Sequence, residues 1–321
     1  MKKILKYGLL VIVAVVVLMT AFYFLFPESV FRIAVDAQRR AADLVRKEVQ
    51  VDNHRIAYLE GGKGETVILL HGFGANKDSW LAFAKYLKGY HLVIPDIPGF
   101  GESSRAPTDH YGMESQVARI NRFAEALKLD KFHLAGNSMG RALAASYSAK
   151  HARRVLTLAL LAPAGVPSQK KSEFVIQMEK GRNLLLPGNE KEYDDLLALI
   201  FVQPPPIPAP FKKIFMADMA EHKEFNGKIW KDWQPEKFSL APALPLISSP
   251  VLIMWGDQDK IVDVGGVAFL GKHLKTSRSV ILKDTGHTPM IEKPEESAKA
   301  YLSFLKEYSM APPGKLELSS S

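Results

Sequence analysis

The 321-residue chain contains no cysteine, no internal repeat and no His/Asp cluster at the spacing of metal ligands. The missing cysteine excludes disulfides, thiol catalysis and cysteine-ligated metals, and leaves the redox compartment undecided. We therefore expect no metal and no cofactor. A basic stripe interleaved with aromatic residues is also absent, which argues against a nucleic-acid partner. The formal net charge of +8 is dispersed, as on a basic surface that tolerates anionic membranes.

Charge is missing from residues 8–26, an unbroken apolar and aromatic run. At about 1.5 Å per residue, such a helix spans roughly 29 Å, close to the hydrocarbon thickness of a bilayer. A cleaved signal peptide has a shorter apolar region that ends in small residues, whereas this run ends in bulky aromatics. We therefore predict an uncleaved transmembrane anchor over residues 1–27.

Lys2, Lys3 and Lys6 precede the uncharged run at 8–26, and the first charge after it is Glu28. The positive-inside rule then keeps the amino end in the cytoplasm and exports the rest of the chain. For a bacterium, this predicts a single-pass inner-membrane protein with a periplasmic folded domain. Basic residues between 32 and 47 weaken the charge asymmetry.

Residues 28–47 carry apolar side chains at i, i+3, i+4 and i+7 spacing, which predicts an amphipathic juxtamembrane helix with Ser29 as its N-cap. Three uses of the apolar face remain open: packing on the folded domain, lying at the lipid headgroups, or pairing with a second copy. The last would give a homodimer through the N-terminal helices.

The body of the chain alternates apolar runs with helical patterns, after a predicted hairpin over 48–60. Runs typical of strands buried on both faces occur at 66–70, 92–94, 132–135, 155–161, 251–255 and 279–282. Helical patterns occur at 79–88, 113–128, 139–150, 263–274 and 294–308. This alternation predicts a mostly parallel, doubly wound sheet built from 48–165 and 250–310, with its site outside the carboxyl ends of the strands.

Residues 166–249 interrupt the alternation with apolar residues at helical spacing, and we interpret them as a helical cap inserted after the sixth strand. We expect most of its large apolar residues to form the core of the cap and the remainder to line an apolar tunnel. These residues are Phe174, Leu197, Phe201, Phe211, Phe215, Trp230 and Trp233. The tail at 311–321 is excluded from the fold, because part of it is typical of an expression scar.

A Gly-Asn-Ser-Met-Gly pentapeptide at 136–140 lies between a predicted strand and a predicted helix. This context is typical of a nucleophile elbow, a turn so tight that both outer positions need glycine. The turn would expose the Ser138 hydroxyl at the end of the strand. The N–H of Met139, at the helix N-terminus, can stabilise a developing oxyanion.

Three further motifs follow other predicted strands. His-Gly-Phe-Gly at 71–74 can supply a second oxyanion donor, the N–H of Phe73. Trp-Gly-Asp-Gln-Asp at 255–259 supplies an acid, and Gly-His-Thr-Pro at 286–289 supplies a base, His287. Serine, acid and histidine in this chain order predict nucleophilic catalysis at an ester or related carbonyl group.

These motifs, with Asp-Ile-Pro-Gly-Phe-Gly at 96–101 and Glu-x-Pro at 292–294, resemble the α/β-hydrolase superfamily, and more narrowly bacterial family V lipases and membrane-bound monoacylglycerol lipases. The resemblance covers about residues 50–308 and is weaker through the cap. It implies an α/β-hydrolase fold with an inserted cap, and it favours Asp259 over Asp257 as the acid. The implied catalytic and oxyanion-hole residues are Ser138, Asp259, His287, Phe73 and Met139.

With the N-terminal span, the resemblance extends to inner-membrane phospholipases A. It implies a membrane-anchored serine carboxylic-ester hydrolase that releases fatty acids from glycerophospholipids or lysophospholipids through an acyl-enzyme, with membrane lipids as partners. A monoacylglycerol lipase and a hydrolase of small esters or carbon–carbon bonds remain alternatives. A non-catalytic lipid-binding protein fits less well, because every catalytic motif is present.

Two positions depart from the family pattern. Arg141 stands where glycine usually follows the elbow, and His-Ala-Arg-Arg-Val at 151–155 replaces the usual His-Pro-Glu-Arg-Val. A cation on the first turn of a helix opposes the helix dipole. Arg141 either crowds the elbow or points to solvent. Neither departure touches the triad residues, so the functional interpretation stands, although activity could be reduced.

Overall fold

The computed structural model describes residues 2–163, 165–167, 170–233 and 239–308, so the tail at 311–321 lies outside the described residues. Eight strands form one sheet in the order β1-β2-β4-β3-β5-β6-β7-β8, and the pairs β1–β2 and β2–β4 are antiparallel while the others are parallel. The strands are β1 (Leu44–Val51), β2 (His54–Gly62), β3 (Thr66–Leu70), β4 (His91–Pro95), β5 (Phe132–Asn137), β6 (Val155–Leu161), β7 (Val251–Gly256) and β8 (Ser277–Leu282). The predicted hairpin and the mostly parallel sheet are confirmed.

Helices cover the sheet, form the cap and precede the first strand. They are α1 (Lys2–Leu25), α2 (Pro27–Ala41), α3 (Leu81–Ala84), α4 (Met113–Ala126), α5 (Met139–Lys150), α6 (Glu173–Glu179), α7 (Glu190–Ile200), α8 (Ala209–Trp233), α9 (Gly266–His273), α10 (Pro289–Glu292) and α11 (Pro294–Tyr308). Within the described ranges, one helix is long and apolar enough to cross a membrane: Ile4–Leu25, with a mean hydropathy of 2.7 and no buried part.

Both faces of the sheet are buried, and successive side chains of a strand enter different layers. In β5, Leu134 packs in the layer that contains residues of α4, α5 and α9, whereas Ala135 packs in the layer that contains residues of α3 and α11. Every residue of β5 and β7 is buried. This two-sided burial explains why the parallel strands appear in the sequence as continuous apolar runs.

The strand order reverses at β3, which pairs with β4 on one side and with β5 on the other. Such a reversal opens a crevice at the carboxyl ends of the two neighbouring strands. The loop at 71–74 follows β3, and Ser138 follows β5. The topology therefore brings the predicted oxyanion loop next to the predicted nucleophile.

The juxtamembrane helix is shorter than predicted. It begins at Pro27, so Ser29 lies inside the helix and does not cap it. It ends at Ala41 rather than at 47, because Asp43 adopts a φ of 59° and β1 begins at Leu44. Antiparallel pairing of β1 with β2 overrides the local helical spacing of the last four residues.

Two other predicted helices are also shorter. The pattern at 263–274 yields only α9, and the pattern at 79–88 yields a 3-10 turn, Lys77–Trp80, followed by the single turn of α3. The backbone N–H of Lys77 donates to the Asp96 carboxylate at 2.7 Å. This bond from a distant loop holds the chain in a tight turn where the sequence pattern favours a longer helix.

Five side chains, which we call the α2 ion network, attach α2 to the loop after β4. Arg39 donates to both carboxylate oxygens of Asp78 at 2.7 Å, and the buried Lys77 donates to Asp96 at 2.8 Å and to Glu102 at 2.7 Å. Burial acts to raise the pKa of Glu102, but the hydrogen bond and charge of Lys77, with other basic contacts, lower it to about 2. The network holds the helix that follows the anchor against the folded domain.

The cap consists of α6, α7 and α8, inserted after β6 as predicted. Its longest helix, α8, has 25 residues, or roughly 37 Å at 1.5 Å per residue. Phe31 of α2 contacts Phe211 and Phe215 near the start of α8, with ring centroids 5.4 and 5.2 Å apart, and Tyr23 of α1 lies 5.9 Å from Phe211. The cap therefore contacts both N-terminal helices.

Candidate active site

Ser138 joins β5 to α5 in a left-handed conformation, with φ 52° and ψ −118°. A Cβ at Gly136 would lie 2.3 Å from the carbonyl carbon of Gly140, and a Cβ at Gly140 would lie 2.2 Å from the carbonyl oxygen of Leu70. Because backbone atoms would have to move in both cases, the turn requires glycine at both positions. The structure thus contains the strand–turn–helix elbow that the pentapeptide predicts.

Asp259 and His287 come together at the neighbouring strand ends. Oδ2 of Asp259 accepts hydrogen bonds from Nδ1 of His287 at 2.8 Å and from the Trp255 indole at 3.0 Å. Oδ1 accepts the N–H groups of Ile261 at 2.8 Å and Val262 at 3.0 Å. Both side chains of the pair are buried, and four donors fix the orientation of the carboxylate. The carboxylate in turn assigns the ring proton to Nδ1, which leaves Nε2 as a proton acceptor.

The histidine loop is tied to the elbow and to the cap. Asn137, inside the elbow, donates its side-chain amide to the carbonyl of His287 at 3.0 Å, and the His287 N–H donates to the carbonyl of Ile200 at the end of α7, at 2.8 Å. Asp257 is exposed and accepts the N–H of Thr285 at 3.2 Å, so it positions the turn that precedes the histidine.

Glu292 is a positioning residue that the sequence analysis missed. Its half-buried carboxylate accepts the N–H of Gly286 at 2.8 Å with one oxygen and the N–H of Val202 at 2.8 Å with the other. Burial raises the pKa of Glu292, and these backbone donors oppose that shift. In the sequence, Glu292 stood out only as part of the Glu-x-Pro motif at 292–294. That motif does not indicate which groups the carboxylate contacts.

The loop after β3 presents the second oxyanion candidate. Nδ1 of the buried His71 donates to the Gly72 carbonyl at 2.8 Å, and Nε2 accepts the N–H of Ile97 at 2.9 Å, so the ring shapes the loop. Burial lowers the pKa of His71, which favours this neutral form. A Cβ at Gly72 would lie 3.2 Å from that of the elbow serine. The N–H groups of Phe73 and Met139 donate to no described residue, so both can bind a ligand oxygen.

The bond between the serine and the histidine is open in this structure. Nε2 of His287 is buried and has no hydrogen-bond partner within the part of the chain that the structure describes. Such bonds are often long without substrate and tighten in the reactive complex. No group of three or more acidic or histidine side chains in the described ranges is placed to hold a metal ion.

A cavity of about 600 Å³ lies at Ser138, and its lining is mainly apolar. Of the cap residues considered for a tunnel, Phe174, Trp230 and Trp233 line this cavity. Two others, the phenylalanines near the start of α8, pack on α2 instead. The ring of Phe73 lies 5.3 Å from that of Trp230, so the oxyanion loop contacts the cap directly.

Arg141 does not point to solvent, so that alternative from the sequence is wrong. Its side chain is 2% exposed and lines the cavity beside Ser138. Its backbone N–H donates to the Ser138 carbonyl at 3.2 Å, so the elbow forms with arginine in place. Burial lowers the pKa of Arg141 to about 9, a shift that the Asp259 charge opposes.

Comparisons with known proteins agree with this geometry. Residues 65–196 match the family model of the alpha/beta hydrolase fold. The chain is 34% identical to monoacylglycerol lipase abhd6-B of Xenopus laevis, over 92% of this chain and 91% of that protein. It is 31% identical to Lipase 1 of Psychrobacter immobilis, over 84% of this chain and 87% of that protein.

A crystal structure of a membrane phospholipase A, described as a novel bacterial virulence factor, superimposes with a TM-score of 0.87. The two sequences are 39% identical, and the alignment covers 95% of this chain and 100% of the phospholipase chain. This confirms the predicted resemblance to membrane phospholipases A, and the chain is a relative of the membrane phospholipase A PlaF. The chain belongs to the α/β-hydrolase family, and its apolar N-terminal helix together with this relative indicates a membrane-anchored protein.

Glu292→Gln tests the support of the histidine loop. An amide can accept with only one of its two end atoms, so one backbone N–H of the loop loses its partner, which costs about 1–3 kcal/mol. We expect that loss in chemical unfolding and a roughly 10-fold lower kcat on a short soluble ester. Glu296→Gln, an exposed neighbour on α11, is the matched control. Parent values of both kcat and stability in Glu292→Gln would show that the carboxylate does not position the loop.

Proposed function

We propose that the chain is a membrane-anchored serine carboxylic-ester hydrolase that releases fatty acids from glycerophospholipids or lysophospholipids. The observation that carries this proposal is the buried Asp259–His287 pair beside the elbow residue Ser138, at an apolar cavity of about 600 Å³. Ester hydrolysis is supported by the lipase and phospholipase relatives.

The proposed reaction has two halves joined by an acyl-enzyme. Oγ of Ser138 attacks the ester carbonyl carbon, and its proton passes to Nε2 of His287, whose imidazolium Asp259 stabilises. The tetrahedral intermediate then breaks the bond to the alcohol oxygen, and His287 gives its proton to the leaving alcohol. Water attacks the acyl-serine by the same route, which releases the fatty acid and restores the serine.

The negative charge of each tetrahedral intermediate is assigned to the N–H groups of Phe73 and Met139. Two features support this assignment: the loop after β3 lies against the elbow, and neither N–H is bonded to a described residue. The Met139 donor also lies at the N-terminus of α5, where the helix dipole favours an anion. Donors of this kind contribute about 3 kcal/mol each in comparable sites.

The cap and the N-terminal helices favour a lipid substrate. The start of α8 contacts α1 and α2, and its last turn carries Trp230 and Trp233 into the cavity. One continuous helix therefore connects the end of the apolar span with the site of chemistry. A membrane anchor keeps the site close to a substrate that lies in the bilayer. A soluble substrate would not explain the anchor.

The second candidate is a monoacylglycerol lipase, which the Xenopus relative favours by its name. It uses the same site and the same reaction and differs only in the absence of a phosphate headgroup. A hydrolase of small esters or carbon–carbon bonds would also use this site, but it leaves the anchor unexplained. A purely lipid-binding role leaves the catalytic motifs unexplained.

For the location, we infer a bacterial inner-membrane protein with a cytoplasmic amino end and a periplasmic catalytic domain. The support is Lys2, Lys3 and Lys6, which precede the uncharged run at 8–26, together with the positive-inside rule. A homodimer through α1 and α2 belongs to the same proposal, because Ile33 on α2 is 57% exposed and offers an apolar contact.

Ser138→Ala tests the reaction itself. In detergent-purified protein added to mixed phospholipid vesicles, we expect fatty-acid release to fall roughly 10³-fold or more, because no other group supplies the nucleophile. Mass spectrometry of the released acids measures the rate and the chain preference. Ser303→Ala, an exposed serine on α11, is the control. Release at the parent rate in Ser138→Ala would refute the proposed nucleophile.

Ile33→Glu tests the dimer. A charge on the exposed face of α2 should shift the full-length protein in detergent from dimer towards monomer in sedimentation, because it would be buried in the contact. Gln38→Glu adds the same charge at another exposed position of the helix. A parent protein that sediments only as a monomer, or a dimer that Ile33→Glu leaves intact, would contradict pairing through this face.

A further inference from the structure

Arg141 brings a buried positive charge into the catalytic cavity. It lies on the first turn of α5, three residues after Ser138, and its side chain is 2% exposed. Both side chains line the same cavity. Taking a guanidinium out of water costs desolvation free energy, and a cation at a helix N-terminus also opposes the dipole. A residue with two unfavourable terms beside the nucleophile is a candidate for a role in substrate binding.

The cavity has a formal excess of positive charge. Among the residues that the structure describes, the charged lining consists of three cations, Arg141, Lys170 and Lys171, and two carboxylates, Glu179 and Asp263, which gives this set a net charge of +1. Lys171 and Glu179 pair with each other at 2.6 Å. In a site with low-dielectric walls, a net positive charge attracts anionic ligands and disfavours cationic ones.

The hydrogen bonds to the Asp259 carboxylate come from residues other than Arg141. Both oxygens of Asp259 already accept two hydrogen bonds each, from His287, Trp255, Ile261 and Val262. Burial lowers the pKa of Arg141 only to about 9, so the guanidinium stays positively charged at neutral pH. A guanidinium has five N–H donors, so it can bind a ligand oxygen and keep a protein contact.

We propose that Arg141 selects the substrate by binding the phosphate group of the acyl glycerophospholipid whose ester carbonyl lies at Ser138. In such a lipid, the phosphate is separated from the ester group by only the glycerol carbons, and Arg141 is separated from Ser138 by one helical turn. Guanidinium–phosphate pairs are bidentate and charge-assisted. A monoacylglycerol offers only a neutral hydroxyl at that position. This inference rests on the proposed function and names the residue that decides between its two candidate substrates.

The test compares two substrates that differ only in the phosphate: 1-lauroyl-sn-glycerol 3-phosphate and 1-lauroyl-sn-glycerol. For the full-length protein in nonionic detergent, kcat/KM should be higher on the phosphate ester. In Arg141→Met, the ratio of the two kcat/KM values should fall roughly 10- to 100-fold, as expected for a lost charge-assisted bond, mainly through a higher KM for the phosphate ester. Arg141→Lys keeps the positive charge but loses the bidentate geometry, so its ratio should lie between those of the parent and of Arg141→Met.

Arg278→Met removes a partly exposed arginine from β8 and is the matched control, with an unchanged ratio. If Arg141→Met does not fold, Arg141→Gln makes the same comparison. An unchanged ratio in the neutral variant would overturn the inference, and so would equal losses on both substrates, which indicate a structural role. A parent protein that cleaves neither phospholipid vesicles nor the phosphate ester would instead overturn the proposed phospholipase function.

Discussion

Ser138 holds its left-handed conformation because Gly136 and Gly140 let three backbone segments approach to distances that no side chain tolerates. A non-glycine residue in such a conformation costs about 1–3 kcal/mol, which the surrounding structure must offset. It does so with the Ser138 N–H bonded to the Leu161 carbonyl at 3.2 Å and with the buried α5 that follows. The proposed nucleophile, one proposed oxyanion donor and the Asn137 link to the histidine loop all depend on this turn.

The cap connects this rigid site to the N-terminal helices. The carbonyl of Ile200, at the end of α7, accepts the N–H of His287, so a movement of the cap would also move the proposed catalytic base. The start of α8 packs on α2, which the α2 ion network attaches to the loop after β4. A continuous set of contacts therefore links the N-terminal helices, through the cap, to the loop that carries His287.

The sequence predicted the sheet, and it located the candidate site residues at strand ends that the fold brings together, because both depend on local signals. Continuous apolar runs mark two-sided burial, and each chemical motif follows a strand whose carboxyl end faces the crevice. Contacts between distant segments produced the errors. Leu44 and Val45 fit a helix by spacing, but pairing with β2 buries the first to 3% exposure and leaves the second 63% exposed. The burial of Arg141 depends on where the cap lies, and the partners of Glu292 come from another loop, so neither could be derived from local pattern.

The proposed reaction requires that Ser138, with His287 as its general base, forms a covalent acyl-enzyme. The most direct measurement is intact-protein and peptide mass spectrometry after exposure of the full-length protein to a lauroyl-like alkyl fluorophosphonate, which reacts with activated serines. We expect one adduct per chain, on the peptide that contains Ser138, and labelling slowed roughly 10³-fold or more in His287→Ala. An adduct at another serine, or labelling of His287→Ala at the parent rate, would contradict it.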